Sequence, residues 1–326
     1  MVAVEKKAPR RMFDKVGIYA DASVVGGGLS NIPDYLSNGK EEADVSTGET
    51  KTFGYVGGMR VSVSASGVYI VGSLPKFLHG SNVWGLERQG VEDAVSKLED
   101  TLHISLQDAK VQTLEVGKTF VVDYEPWEYL NRLGNLSRME RVQTTPHSLY
   151  YRDKRRKTIR ELAFYDKEKE AIHTGQSVST WVESYGLHLL RYEQRYKGRL
   201  AQQVKEPFVN VSMLAQEEFY NKMIGLYKSS YYDITKQKQI ETIPMAEIKS
   251  VADAYDMWVA RLMQQVDATQ AQEFIAELKK ANVFKNRSEY TRLKRRMDEA
   301  FKKANVCVSD ELVDELDKHI EHCHVL

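Results

Sequence analysis

Between residues 54 and 197 the chain carries short runs in which apolar and polar residues alternate, the period of strands with one buried face. Strands are expected at Gly54–Ser66, Gly67–Ser73, Lys110–Asp123, Val142–Tyr151, Thr158–Tyr165 and His188–Lys197. In the run Leu189 to Lys197, the residues Leu190, Tyr192 and Tyr196 fall on one face and Arg191, Glu193, Arg195 and Lys197 on the other. Val111 to Phe120 behaves likewise, with Leu114, Val116 and Phe120 inward and Thr113, Glu115 and Thr119 outward. The strand ending at Tyr165 buries Leu162 and Phe164 and turns the tyrosine to the opposite face. Helical spacing intervenes at about Glu87–Leu102 and Trp127–Leu133. The turn at Gly67 makes a hairpin of the first two strands, and Lys76–Gly85 reads as the loop that leaves it. Antiparallel strands joined by short turns, with helices crossing one face, predict an α+β domain whose largely antiparallel sheet keeps its other face open.

Beyond residue 205 the pattern becomes helical. Apolar residues recur at three- and four-residue spacing over Met213–Lys228, Ala246–Gln264, Thr269–Ala281, Arg287–Lys303 and Asp310–Cys323. Early acids after Asp267 and Ser309 are helix-start signals. The chain therefore divides into an α+β domain over residues 1–205 and a helical domain over 206–326, read as a DNA-binding, docking or oligomerisation unit.

If the three strands share one sheet, Glu115, Tyr165 and Glu193 meet on its polar surface. Tyrosine is one of the few side chains that forms a covalent enzyme intermediate, and it needs a nearby cation to steady the charge that develops. Two carboxylates beside it suit a hard divalent ion, Mg²⁺ or Mn²⁺. In Tyr165-Asp166-Lys167-Glu168-Lys169-Glu170 a lysine follows the tyrosine by two residues and a glutamate by five, although an exposed strand end rich in Lys and Glu looks much the same.

Charge changes this picture only locally. Lys plus Arg equals Asp plus Glu at 46 each over 326 residues, so the chain is no polycation and any DNA affinity must come from patches. Arg152, Lys154, Arg155, Arg156 and Lys157 form a basic hairpin tip behind Tyr150 and Tyr151, leading into the tyrosine strand, where aromatic rings can stack bases. A second basic stretch, Lys285 to Lys303, reads equally as phosphate contact or as an exposed helix face balanced by the acidic tail. Cys307 and Cys323 imply no disulfide framework, and no apolar run is long enough to span a bilayer, so a cytoplasmic location is expected. Gly26-Gly27-Gly28 lacks the Lys-Ser/Thr of a phosphate-binding loop and reads as a flexible turn. His319, His322, Cys323 and His324 read as a frayed polar tail rather than a metal site.

The run Gly72 to Gly85, with Ser73, Lys76, Gly80, Asn82 and Val83, followed by Leu114-Glu115-Val116, then Phe164 to Glu170, then Leu190-Arg191-Tyr192-Glu193, resembles the rolling-circle replication initiators of the gene II/X type of filamentous phages and related phage and plasmid proteins. The resemblance covers about residues 12 to 200. It implies a metal-dependent, site-specific DNA nickase and strand transferase in a bacterial host, with Tyr165 as the nicking tyrosine, Lys167 beside it and Glu193 as the acid of the Arg-x-Glu strand. Glu115 stands where the phage proteins carry Asp. Glu115 and Glu193 are the implied metal ligands, and Glu170 either joins them or positions Lys167. Lys76 would hold the DNA backbone, and Asn82 either orients a base, braces its loop or caps Trp84. The implied product is a 5′-phosphotyrosine and a free 3′-hydroxyl for a host polymerase, with a host helicase as a further partner. A non-catalytic origin-binding protein and a mobilisation relaxase remain the alternatives.

Overall fold

The computed structural model describes residues 12–43, 48–153, 159–176, 186–236, 248–264, 268–306 and 310–323. Its strands are β1 (Phe13–Asp21), β2 (Ser37–Ala43), β3 (Thr50–Val56), β4 (Met59–Ser64), β5 (Gly67–Ser73), β6 (Lys110–Val122), β7 (Leu133–Leu136), β8 (Met139–Thr145), β9 (Ser148–Asp153), β10 (Arg160–Asp166), β11 (His188–Tyr196) and β12 (Ile234–Lys236). Ten of them make a central antiparallel sheet in the order β2-β3-β4-β5-β1-β6-β11-β10-β9-β8, and β7 pairs apart from it with β12. The α+β class and the antiparallel sheet agree with the sequence pattern, and the segment expected over Gly54–Ser66 is two strands folded at Gly57-Gly58, both at positive φ. β1 escaped the pattern. Two register shifts against β6 break its alternation, so Phe13 and Asp14 are buried side by side.

The helices are α1 (Ala22–Val25), α2 (Leu74–His79), α3 (Arg88–Leu102), α4 (Pro126–Arg132), α5 (Lys167–His173), α6 (Leu200–Val204), α7 (Glu217–Tyr232), α8 (Val251–Gln264), α9 (Ala268–Lys280), α10 (Arg287–Val306) and α11 (Glu311–Glu321). None of the described helices is long and apolar enough to cross a membrane. Gly26-Gly27-Gly28, expected as a flexible turn, opens a 3-10 helix over Gly26–Tyr35 whose Ile32 is buried.

One face of the sheet carries the main core. Leu114 and Phe120 of β6, Leu162 and Phe164 of β10, and Leu190, Tyr192 and Tyr196 of β11 lie in it, as alternation requires. Phe164 stacks on Tyr192, and Tyr192 packs against Tyr227 of α7 at a tilt of 34°, with ring centroids 4.2 Å apart in both cases. Tyr192 and Tyr227 also exchange hydrogen bonds, each hydroxyl donating to the other's carbonyl. The division drawn near residue 205 does not coincide with a break in packing. Phe219, Met223, Tyr227 and Tyr231 of α7 and Leu312, Leu316 and Ile320 of α11 belong to the same core as the sheet. α11 is anchored by Asp310, which caps it through Val313 N–H and pairs with Arg132 of α4 at 2.8 Å. The C-terminal end is likewise no frayed tail over its described residues, since Cys323 is buried and His319 stacks on Phe120. His324 and Cys307 lie outside the described residues.

Candidate active site

On the other face, β6, β11 and β10 are neighbours, and their register sets out the polar residues in rows. Thr119, Arg191 and Tyr165 are cross-strand partners, then Gly117, Glu193 and Ala163, then Glu115, Arg195 and Glu161. Cross-strand partners share a face and lie about 5 Å apart, so Tyr165 and Glu193 meet diagonally. The Tyr165 hydroxyl donates to Glu193 Oε1 at 2.7 Å. The small residues on either side of Glu193 make this possible. A Cβ on Gly117 would stand 2.5 Å from Glu193 Cγ, so only glycine leaves the carboxylate its place.

Arg191 is the hub of the cluster. It is fully buried, and its Nε donates to Glu193 Oε1 at 2.6 Å while one terminal nitrogen donates to Asp14 Oδ2 at 2.6 Å. Its other terminal nitrogen donates to Thr119 Oγ1 and to the carbonyls of Asn82 and Val83. A buried guanidinium is tolerated only when paired and fully hydrogen-bonded, and Arg191 meets that condition by tying β1, β6, β11 and the Asn82 loop together. Arg195 grips the second oxygen of Glu193 at 2.7 and 2.9 Å and reaches Glu161 at 2.9 Å.

At the tyrosine, the sheet face expected to be open is roofed. Val83, Val121, Ala171 and Leu189 form a small apolar cluster, with Trp84 and Leu187 against it, that pins the Asn82 loop and α5 onto the sheet. Under this roof Lys167 is buried and donates to Asn82 Oδ1 at 3.0 Å and to Glu170 Oε2 at 2.5 Å. Asn82 in turn donates to Asp14 Oδ2 at 3.2 Å, and its backbone N–H donates to Gln176. Asn82 thus braces its loop, and Glu170 holds Lys167.

Electrostatically this is a quenched tyrosine. Burial, and then the charge of Glu193, push the Tyr165 hydroxyl well above its ordinary value. Against the opposing effect of burial, Arg191 and Arg195 hold Glu193 below the usual carboxylate range. Burial, then the neighbouring Glu193, push Glu115 up to about 7. Burial, then Arg191, lower the Lys167 ammonium, with Glu170 opposing.

Of the residues singled out in the sequence, Glu115, Tyr165, Lys167, Glu170, Asn82 and Glu193 assemble on this face. Arg152 joins at its border, paired with Glu161 at 2.8 Å. Lys76 sits in α2 rather than in a loop, and no contact among the described residues links it to the tyrosine. Lys154, Arg155, Arg156 and Lys157 lie outside the described residues. Asp14, Thr119, Gly117 and the central role of Arg191 were missed. An acid and a glycine inside otherwise apolar alternation were the available signals. As a donor set for a hard divalent cation, Glu115 has a carboxylate to offer, whereas both oxygens of Glu193 are taken by Tyr165, Arg191 and Arg195. Glu170, committed to Lys167, fits less well. Among the described residues no three side chains of ligating type are grouped to hold a metal.

A family model described as the N-terminal part of the phage replication-associated protein of gene II matches residues 51–222, which is just over half of the chain. The match takes in β3 to β6, β10, β11 and both halves of the tyrosine cluster, and leaves out β1 with Asp14. No curated protein matches the chain.

Proposed function

We propose that this chain, which belongs to the family of gene II-type replication-associated proteins and is a rolling-circle replication initiator, starts replication by nicking one DNA strand through transesterification at Tyr165. The observation that carries the proposal is the 2.7 Å hydrogen bond from Tyr165 to Glu193 inside the clamp of Arg191 and Arg195. Attack by the phenolic oxygen forms a phosphotyrosine bond at the 5′ side and breaks the bond from phosphorus to the 3′ oxygen, which takes up a proton from water and leaves as a hydroxyl that a host polymerase extends.

The quenched resting state suits such a reaction. With Glu193 held by two arginines, it is a weak base and the phenol keeps its proton. A phosphodiester entering the cluster competes for guanidinium donors, and Arg195, the more exposed of the two, is the one free to turn toward it. Losing that partner raises the basicity of Glu193, which then takes the phenolic proton along the bond already made. Lys167, kept near Asn82, places positive charge beside the reacting phosphate. Glu115, with the Glu193 oxygen that Arg195 gives up, would hold Mg²⁺ or Mn²⁺, which when bound supplies charge neutralisation at the phosphate oxygens.

The test is incubation of the native protein and of Tyr165→Phe with supercoiled DNA carrying the chain's own gene, followed by a search for a covalent protein–DNA species. The native protein forms the adduct, and Tyr165→Phe keeps DNA binding and forms none. An adduct with Tyr165→Phe would move the nucleophile to another tyrosine, Tyr150 or Tyr151 first. A second reading, a non-catalytic origin-binding protein, is favoured by the saturation of Glu193 with arginine contacts, and it predicts no adduct from either form.

A further inference from the structure

The polar face does not end at the tyrosine cluster. Phe53, Ser62, Tyr69, Tyr19 and Lys110 are successive cross-strand partners on β3, β4, β5, β1 and β6, so they form one row on one face. The next row is Tyr55, Arg60, Val71, Gly17 and Thr113. None of the aromatic residues in these rows is buried. Tyr69 crosses β1 above Gly17, where a Cβ would stand 2.5 Å from its hydroxyl and 2.3 Å from Thr113 Oγ1, so the absent side chain makes room for the ring. Beyond these rows, Lys15 of β1, the partner of Ser73, lies near enough to Glu115 to act on its charge, and Glu115, Arg195 and Glu161 are cross-strand partners that lead from this surface into the tyrosine cluster.

Cations border the rings. Arg60 lies 5.5 Å from the Phe53 ring, and Lys110, Arg199 and Lys197 line a groove of about 650 Å³ that Tyr69 also lines. Lys197 pairs with Glu161, whereas Lys110 and Arg199 are exposed and pair with no carboxylate among the described residues. Rings that are flat and reachable, interleaved with unpaired cations on an open sheet face, are the composition that binds single strands by base stacking and phosphate contact, and a duplex hides the base faces this surface would stack.

We infer that the outer face of β1 and β3–β6 is a platform for single-stranded DNA, with a base stacked on Tyr69 and phosphates held by Lys110 and Arg199. From Lys197 to Arg191, the partner of Tyr165, β11 covers about 20 Å at its rise of about 3.3 Å per residue, so a strand on the platform lies within a few nucleotides of the roofed tyrosine. The inference rests on the nicking reading for the identity of the strand, which is the one flanking the cut.

Binding is measured by fluorescence anisotropy with the full chain carrying Tyr165→Phe, so that chemistry cannot intervene. The probe is a fluorescein-labelled oligothymidylate longer than the roughly 16 nucleotides of the larger stacking sites. Tyr69→Ala should weaken binding roughly 5- to 150-fold while Tyr69→Phe, which keeps the ring, leaves it unchanged. Lys110→Gln and Arg199→Gln, both at exposed positions, should each flatten the salt dependence by about 0.7 in slope. Binding of a labelled duplex of the same length should not respond to Tyr69→Ala. Unchanged affinity in a folded Tyr69→Ala, an equal loss on duplex, or unchanged salt slopes in the two cation variants would each overturn the platform. A chain that forms no adduct in the nicking assay yet shows the ring dependence loses the nicking reading alone.

Discussion

Replacing Arg191 by methionine tests whether the cluster is held together as described. The change keeps most of the side-chain volume and removes every donor to Glu193, Asp14, Thr119 and the Asn82 and Val83 carbonyls. Removing one partner of a buried ion pair costs about 3–5 kcal/mol, because the other charge is left uncompensated. Two features pull the figure toward the lower end. Glu193 retains Arg195 and Tyr165, and Asp14 retains Ser73 and Asn82. The expected loss is therefore about 3 kcal/mol, a large part of the roughly 5–15 kcal/mol that separates folded from unfolded chains. Its pH dependence has a definite sign. Glu193 is held below its ordinary range in the native fold, so it contributes stability above about pH 4.5 that is lost as the pH falls toward its depressed value. The variant lacks the part of that contribution that Arg191 supplies, so its deficit narrows in acid. Urea unfolding at pH 7.5 and pH 4 reads both quantities. A loss below about 1 kcal/mol at pH 7.5, or a deficit that widens at pH 4, would refute the assignment of Arg191 as the hub.

Three further outcomes follow from the same geometry. Glu115, raised to about 7, contributes stability in full below about pH 4.5 and loses it as the pH rises through 7; Glu115→Gln should therefore be more stable than the native chain at pH 8, by up to about 3 kcal/mol, and similar to it at pH 5, by thermal unfolding at the two pH values. Gly117→Ala, which pushes a methyl group against Glu193 Cγ and the Tyr192 carbonyl, should cost about 1–3 kcal/mol and lower adduct yield, and a variant that melts with the native chain would show that β6 gives way easily. Glu115→Gln should need more Mn²⁺ than the native chain to reach half-maximal nicking and Glu193→Gln, which also loses the proton acceptor, should nick slowly at any Mn²⁺ concentration, while undiminished nicking by the native chain in a chelator would take the metal out of the mechanism.

The parts of the site that lie on regular strands were legible because alternation fixes a face without any knowledge of neighbours. Tyr165, Glu193 and Glu115 fall on the polar side by residue parity alone, and the pairing of β6, β11 and β10 then brings them together. Asp14 was illegible for the opposite reason. Its strand is irregular against β6, and its partners Ser73 and Arg191 stand 59 and 177 residues away, beyond any window in which periodicity operates. Burial of the tyrosine was likewise hidden, since Val83, Ala171 and Leu189 come from three segments and make one apolar cluster only after folding. The helices after residue 205 were found by their spacing. Their attachment to the sheet depends on where Tyr227 and Tyr231 land, which spacing does not encode.

The arrangement of charge argues for a site in which the substrate completes the chemistry. Tyr165 and Glu193 are already in contact, so under the proposed chemistry no large movement would be needed to bring the tyrosine to its proton acceptor. What would separate the resting state from a reactive one, on that proposal, is the hold of two guanidinium groups on one carboxylate. These groups differ in their freedom to move. Arg191 is locked by five acceptors in the protein interior, whereas Arg195 is partly exposed and lies in the cross-strand row of Glu115 and Glu161. A phosphate arriving along that row meets Arg195 first. Arg191 would therefore keep the fold of the site through the reaction, and Arg195 would link occupation of the DNA surface to the basicity of Glu193. Arg195→Lys separates the two roles. It should keep strand binding and lower thermal stability only slightly, because Glu193 keeps Arg191 and Tyr165 and Glu161 keeps Arg152 and Lys197. It should raise the rate of adduct formation at saturating protein, because a single ammonium cannot grip both Glu193 and Glu161 as the guanidinium fork does and leaves Glu193 the more basic. A native rate with that variant would remove Arg195 from the activation step and leave Glu193 dependent on Arg191 alone.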